Sequence, residues 1–125
     1  MNFIVKPECM SQGKGIFITR KVEQIDPNEH LVVQKYMRNP YLIDGFKFDL
    51  RIYVLVTNVQ PLRIFMHKEG LARFASEKYK LKAFNNPFIH LTNYAINKDN
   101  ENFVADEKGE SGHKRSLGAV FRKLE

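Results

Sequence analysis

The sequence predicts an α+β fold: a mostly antiparallel β-sheet with a C-terminal amphipathic helix. Three observations carry that expectation. Lys47 to Thr57 alternates between two faces in a stretch rich in β-branched and aromatic residues, the pattern of a β-strand. Several short apolar runs elsewhere are separated by turns containing glycine, proline or asparagine. Leu117, Val120, Phe121 and Leu124 fall at i, i+3, i+4 and i+7, which gives one apolar stripe on a helix, with Ser116 placed to cap its start.

Taken in order, Asn2 to Lys6 reads as a strand ended by Pro7. The loop Ser11-Gln12-Gly13-Lys14-Gly15 follows, and Ile16 to Thr19 resumes the apolar pattern. Together these read as a hairpin whose loop exposes backbone amides. Arg20 to His30, with Asp26-Pro27-Asn28, reads as a turn or a short interrupted helix, and Leu31 to Tyr36 as a strand. Asn39-Pro40 and Asp44-Gly45 are turn signals. In the long alternating strand, Phe48, Leu50, Ile52, Val54 and Val56 share one face. Lys47, Asp49, Arg51, Tyr53, Leu55 and Thr57 share the other. Leu62 to His67 is expected to be its hairpin partner. Glu69 to Phe74 and Phe88 to Ile96 are expected to be extended, and Lys98 to Gly112 to be a polar loop. The helix from Ser116 has run only about two and a half turns when the sequence stops at Glu125.

The 125 residues suit one domain, and the balance of 43% hydrophobic and 27% charged residues excludes a disordered tail, a collagen repeat or a coiled coil. No run is long enough to span a bilayer as a helix, and the N-terminus has no signal-peptide core. A single cysteine, Cys9, excludes an internal disulfide framework and any multi-cysteine zinc site, and fits a reducing location. The net charge of +6 favours a polyanionic partner: nucleic acid, nucleotide phosphates or an acidic protein surface.

Several residues have the chemistry to form a site. The Gln12-Gly13-Lys14-Gly15 loop could cradle a phosphate, although the same residues also make an ordinary turn, and the spacing of a Walker A motif is absent. Lys6, at a strand end, could reach a phosphate or be a solvated lysine. Lys47, Asp49 and Arg51 project from one strand face, and Arg73 supplies a further cation able to hold a carboxylate or phosphate bidentately. Thr92 and Asn93 could bind a ribose, a carboxylate or a metal-bound water, or simply close a strand. His90 reads better as a structural histidine than as a ligand. Phe48 and Arg51 lie on opposite faces, so they do not form the shared platform of a nucleic-acid reader.

In order, these segments resemble the tubulin tyrosine ligase-like family of ATP-grasp ligases. The strings that carry the resemblance are IVKP (Ile4 to Pro7), SQGKGIFI (Ser11 to Ile18), VQKYMRNPYLI (Val33 to Ile43) and DGFKFDLRIYVLV (Asp44 to Val56). They continue with PLRIFMHKEGLARF (Pro61 to Phe74), HLTNYAINK (His90 to Lys98) and a looser SGHKR (Ser111 to Arg115). The match is nearest to the branch that polyglutamylates tubulin.

The resemblance implies a partial ATP-grasp fold over residues 1–125, truncated at both ends. It implies an ATP site of Lys6, Gln12, Gly13, Lys14, Gly15, Gln34, Lys35, Tyr36, Met37, Lys47, Phe48, Asp49, Arg73, Thr92 and Asn93. Arg51 and Arg73 would be catalytic, while Lys14, Tyr94 and Lys114 would hold the incoming glutamate. Lys14 and Ala95 depart from the arginine and serine of many relatives, which leaves the donor amino acid open. The implied chemistry is phosphorylation of a tubulin side-chain carboxylate by ATP, then attack on the acyl phosphate by the amine of free L-glutamate, with magnesium. The metal ligands are expected beyond residue 125, so the fragment is expected to be inactive alone. The expected partner is the acidic tubulin tail, without nucleic acid or membrane, for a monomer in the cytoplasm at the cytoskeleton, cilium or basal body. A non-catalytic nucleotide- or tubulin-binding module, a tubulin glycylase and a basic nucleic-acid-binding domain are the competing readings.

Overall fold

A computed structural model describes all of residues 1–125. The order of elements is β1 (Phe3–Pro7), β2 (Phe17–Thr19), β3 (Leu31–Lys35), β4 (Leu42–Ile43), β5 (Phe46–Arg51), β6 (Val54–Val59), β7 (Leu62–Met66) and β8 (Leu71–Phe74), followed by α1 (Pro87–His90), α2 (Tyr94–Asn97), β9 (Lys114–Ser116) and α3 (Leu117–Leu124). A single turn of 3₁₀ helix, Val22–Gln24, lies between β2 and β3. The fold is α+β, and every strand pairing is antiparallel.

The strands form three sheets: β2-β1-β3, β4-β5-β8-β9, and the hairpin β6-β7. The expected hairpin around the first glycine loop is present, with Ile4 opposite Ile18. A second tight turn joins β4 to β5 at Asp44-Gly45, whose φ angles of 55° and 81° are those of the mirror-image turns that suit the twist of a hairpin.

Three expectations are corrected. The alternating stretch from Lys47 to Thr57 is two strands, broken at Ile52-Tyr53. Its first half pairs with β8 and its second with β7, so Leu62–Met66 partners only the second half. Alternation runs unchanged through such a break, because the register of each half depends on which distant strand it meets. The apolar face assigned to this stretch is also not a continuous buried surface, since Leu50, Ile52, Val54 and Val56 are exposed. Phe88 to Ile96, expected to be extended, instead forms two single helical turns separated by Leu91-Thr92-Asn93. Asn86 caps the first of these by accepting from the Phe88 N–H at 2.9 Å, and Pro87 follows at the position where a missing N–H costs nothing.

The central cluster contains Ile43, Ala72, Phe74 and Val120, with Phe46 and Phe48 packed against it. Helix α3 therefore closes one face of the four-stranded sheet. Ser116 caps it, its hydroxyl accepting from the Ala119 N–H at 3.1 Å. Leu117 and Val120 of the expected stripe are buried, whereas Phe121 and Leu124 remain exposed. The arrangement leaves the opposite face of β5-β8-β9 free to carry polar side chains.

Candidate functional site

On that polar face, strand register places Asp49, Arg73 and Lys114 in one row, because Asp49 is opposite Arg73 and Arg73 is opposite Lys114. Cross-strand neighbours of this kind share a face and can touch. Arg73 donates from Nε to Asp49 Oδ1 at 3.1 Å and from Nη2 to Oδ2 at 2.5 Å. The carboxylate raises the Arg73 pKa, chiefly through the side-chain hydrogen bonds. A guanidinium has five N–H donors, so three remain for another acceptor.

Arg73, Thr92, Tyr94 and Lys114 line a common cavity of about 170 Å³, with Leu71, Phe74, Asn97, Phe103 and His113 completing its wall. The Lys114 ammonium lies 5.7 Å from the centroid of the Tyr94 ring, within cation–π range. The cavity wall thus combines two cations, Arg73 and Lys114, with the rings of Tyr94 and Phe103.

A second cationic group forms between the sheets. Lys6 on β1 donates to Gln34 Oε1 on β3 at 2.8 Å. Lys47 on β5 donates to the His90 carbonyl at 2.8 Å and to the Tyr36 hydroxyl at 3.3 Å. Burial lowers the Lys47 pKa; the Asp49 charge opposes that shift, and Lys6 adds to it. A cation close enough to disfavour the charge of the buried Lys47 makes a region that an anion would relieve.

The glycine loop packs against Pro7, the residue after Lys6, and against Asn93. Gln12, Gly13 and Gly15 have positive φ angles of 63°, 85° and 70°. A Cβ on Gly13 would lie 2.5 Å from Ile96 Cδ1 and 2.8 Å from Asn93 Oδ1, so the loop is seated against the Thr92-Asn93 segment. The Lys14 and Ile16 amides close the turn on Ser11 and Gly13 carbonyls, while the Gly13 and Gly15 amides take no part in those bonds.

The other candidates are placed as follows. Tyr36 is buried, its hydroxyl against His90 Nδ1 at 2.9 Å, and Met37 is exposed. Lys35 is exposed at the end of β3, opposite Phe3. Phe48 stacks on Phe74 at 5.4 Å, on the core side of the sheet and away from Lys47 and Asp49. Arg51 is exposed, its guanidinium 5.8 Å from the Tyr53 ring centroid and outside the Arg73 cavity. Lys14 is exposed nearby in sequence to Gly13, and no contact joins it to Tyr94 or Lys114.

Asn97 is a residue whose part the sequence did not reveal. Fully buried, it accepts from the Ser76 N–H at 2.7 Å and the Ser76 hydroxyl at 2.8 Å. It donates to the Leu91 carbonyl at 2.8 Å and the Asn93 carbonyl at 2.9 Å, pinning the Thr92-Asn93 segment beside the sheet. An asparagine at the end of one helical turn gives no periodic signal. Its partners are 21 and 6 positions away or on a neighbouring carbonyl, and only the fold brings them together.

The family model of the tubulin-tyrosine ligase family matches residues 1–125, the entire chain. The chain belongs to the tubulin-tyrosine ligase family. It is 54% identical over 129 aligned positions to a probable beta-tubulin polyglutamylase of Tetrahymena thermophila, covering 98% of this chain and 11% of that protein. It is 55% identical over 121 positions to the tubulin polyglutamylase TTLL13 of Mus musculus, covering 94% of this chain and 15% of that protein. It is also 48% identical over 126 positions to the tubulin monoglutamylase TTLL4 of Mus musculus, covering 98% of this chain and 11% of that protein. The chain thus spans roughly a tenth to a sixth of the length of these curated relatives.

Within this tubulin-tyrosine ligase family chain, the two clusters sit on different sides of one residue. Asp49 belongs to the same strand as Lys47 and is bound to Arg73, so β5 links the ammonium pair to the Arg73–Lys114 cavity. No three His, Cys, Asp or Glu side chains converge to form a metal-ligand set. No helix is long and apolar enough to cross a membrane.

Proposed function

We propose that residues 1–125 carry the nucleotide- and glutamate-handling part of an ATP-grasp ligase that adds glutamate to side-chain carboxylates of tubulin. The observation that carries this reading is the placement of an ammonium pair, Lys6 and Lys47, with Lys47 two residues along β5 from the Asp49–Arg73–Lys114 row. The glutamylase names of relatives about half identical to the chain favour glutamate over glycine or tyrosine as the donor.

ATP would supply the phosphoryl group that activates the acceptor carboxylate. Lys6 and Lys47 would hold phosphate charge, and the Gly13 and Gly15 amides would face it from the loop. Asp49 orients Arg73, whose free N–H groups disperse negative charge on the reacting carboxyl. Tyr94 and Lys114 would hold a carboxylate of the incoming glutamate in the same cavity. Arg51, exposed on the same strand face, is assigned to the acidic acceptor segment. Magnesium does not fit these side chains alone, because Asp49 is committed to Arg73 and no acidic cluster forms.

The net charge of +6 suits a polyanionic tubulin tail, whose approach it would accelerate. Such a substrate would place the protein at the cytoskeleton, including cilia and basal bodies. The test is incorporation of labelled L-glutamate into tubulin by the natural full-length protein. ATP-dependent label on the tubulin tails supports the reading, and label that does not require ATP, or none at all, overturns it.

A further inference from the structure

Lys47 is held from three directions. Its ammonium donates to the His90 carbonyl at 2.8 Å and to the Tyr36 hydroxyl oxygen at 3.3 Å, and it lies 4.8 Å from the Tyr36 ring centroid. The direction of the remaining bonds follows from their acceptors. His90 Nε2 is 3.1 Å from the Ala83 carbonyl, which can only accept, so Nε2 carries the ring proton. Nδ1 is then an acceptor, and the Tyr36 O–H donates to it at 2.9 Å. With its proton turned toward His90, the Tyr36 oxygen presents lone pairs to Lys47. Donation therefore runs one way, from Lys47 to Tyr36 to His90 to Ala83.

The histidine has little freedom to depart from this arrangement. It is 1% exposed, stacked on Phe84 with ring centroids 5.7 Å apart and met edge-on by Tyr36 and Tyr79. Burial is also the main cause that lowers its pKa, in keeping with the neutral ring that the bond directions require.

We propose that Tyr36 and His90 are positioning residues for Lys47, fixing two of its three N–H donors so that the third is presented to an anionic ligand. The ligand class, a nucleotide phosphate, rests on the reading under Proposed function. The positioning itself does not. A tyrosine that fixes an amine and a histidine that fixes the tyrosine are distinct from residues lining the site, because neither side chain needs to touch the ligand.

Pulsed acetylation of the protein with acetic anhydride, read lysine by lysine by mass spectrometry, tests this. Tyr36→Phe keeps the ring and the packing but removes the oxygen that stabilises the ammonium. The Lys47 acetylation rate should rise about fivefold relative to Lys14 and Lys98, the size expected from losing one ordinary hydrogen bond, here a long one at 3.3 Å. His90→Gln can keep a donor for Ala83 at the Nε2 position but has no acceptor where Nδ1 stood, and should raise the Lys47 rate in the same direction. An unchanged Lys47 rate in both variants, or a rise shared by Lys14 and Lys98, overturns the proposal. A second arm adds ATP to the unsubstituted protein. Slower labelling of Lys6 and Lys47 supports the nucleotide reading. Should ATP protect neither while the variants still raise Lys47 selectively, the nucleotide reading fails and the positioning role stands.

Discussion

Asp49 and Arg73 face one another across β5 and β8 and are joined by two parallel hydrogen bonds, at 3.1 and 2.5 Å. About a third of each side chain is exposed, so the pair's direct contribution to stability is modest, about 0.2–1 kcal/mol as for other solvent-screened ion pairs. Its larger consequence is geometric, since Asp49 sets the direction in which Arg73 faces the cavity. Asp49→Asn is therefore expected to leave the melting temperature nearly unchanged while lowering ATP-dependent glutamate transfer by about 100-fold, the scale on which misplaced charge-stabilising donors act. Paired thermal melts and transfer assays check this. A proportionate loss of both would indicate a structural pair alone.

The glycine loop gives a second contrast. At Gly13 a methyl group would meet Ile96 and Asn93 at 2.5 and 2.8 Å, on a backbone with φ of 85°. Gly13→Ala should cost about 1–3 kcal/mol locally by forcing this strained contact, and should weaken ATP binding more than it lowers the melting temperature. At Gly118, in helix α3, a methyl group would meet only the flexible end of Arg122, at 3.4 Å, and the Ser116 hydroxyl, at 4.0 Å. Gly118→Ala should instead stabilise by about 0.5–1 kcal/mol, the helix preference for alanine. Calorimetry with ATP and thermal melts on both variants separate the two effects.

Asn97 is expected to be the most costly polar residue to remove. Asn97→Ala would leave two carbonyls and the Ser76 N–H and hydroxyl without their buried partner. A loss of about 2–4 kcal/mol is expected from several unmet buried groups. Urea unfolding measures it, and a loss no larger than that of ordinary surface substitutions would contradict the role given to Asn97.

Stability should fall as the solution is acidified through the histidine range. Burial lowers the pKa of His90, and burial followed by the Arg115 charge lowers that of His113. The unfolded chain then binds more protons than the folded one, so these histidines contribute stability above about pH 6.5 that is lost as pH falls toward the depressed folded values. At His113 the loss has a visible cause, because Nδ1 accepts from the Val104 N–H at 2.9 Å and cannot do so once protonated. Melting temperatures measured from pH 8 to pH 5 should decline, and His113→Asn should reduce the slope.

Much of the fold was legible because local pattern and turn chemistry agree. Gly13 and Gly15 mark the first hairpin, Asp44-Gly45 marks the second, and Ser116 with Leu117 and Val120 marks the helix. The break after Arg51 was not legible, since Phe48 through Val56 keeps one period on both sides of it. It is visible only from the partner strands, with Gly70 packed so closely that a Cβ would lie 2.4 Å from the Arg51 carbonyl. Asn86-Pro87 did carry a helix-start signal, yet a four-residue helix offers no period to reinforce it, and Ile89 and Leu91 read as strand residues. The site residues were legible as types in a family pattern. Their pairing was not, because Asp49 and Arg73, or Tyr36 and His90, meet only through strand register and long-range packing.

In the proposed reaction a carboxylate of the acceptor is activated by phosphorylation before glutamate is joined to it. The direct measurement uses an acidic tubulin-tail peptide with ¹⁸O in its side-chain carboxylates, the full-length protein, ATP and L-glutamate. The expected result is one ¹⁸O atom in the inorganic phosphate released for each glutamate added. Glutamate addition with unlabelled phosphate would contradict it.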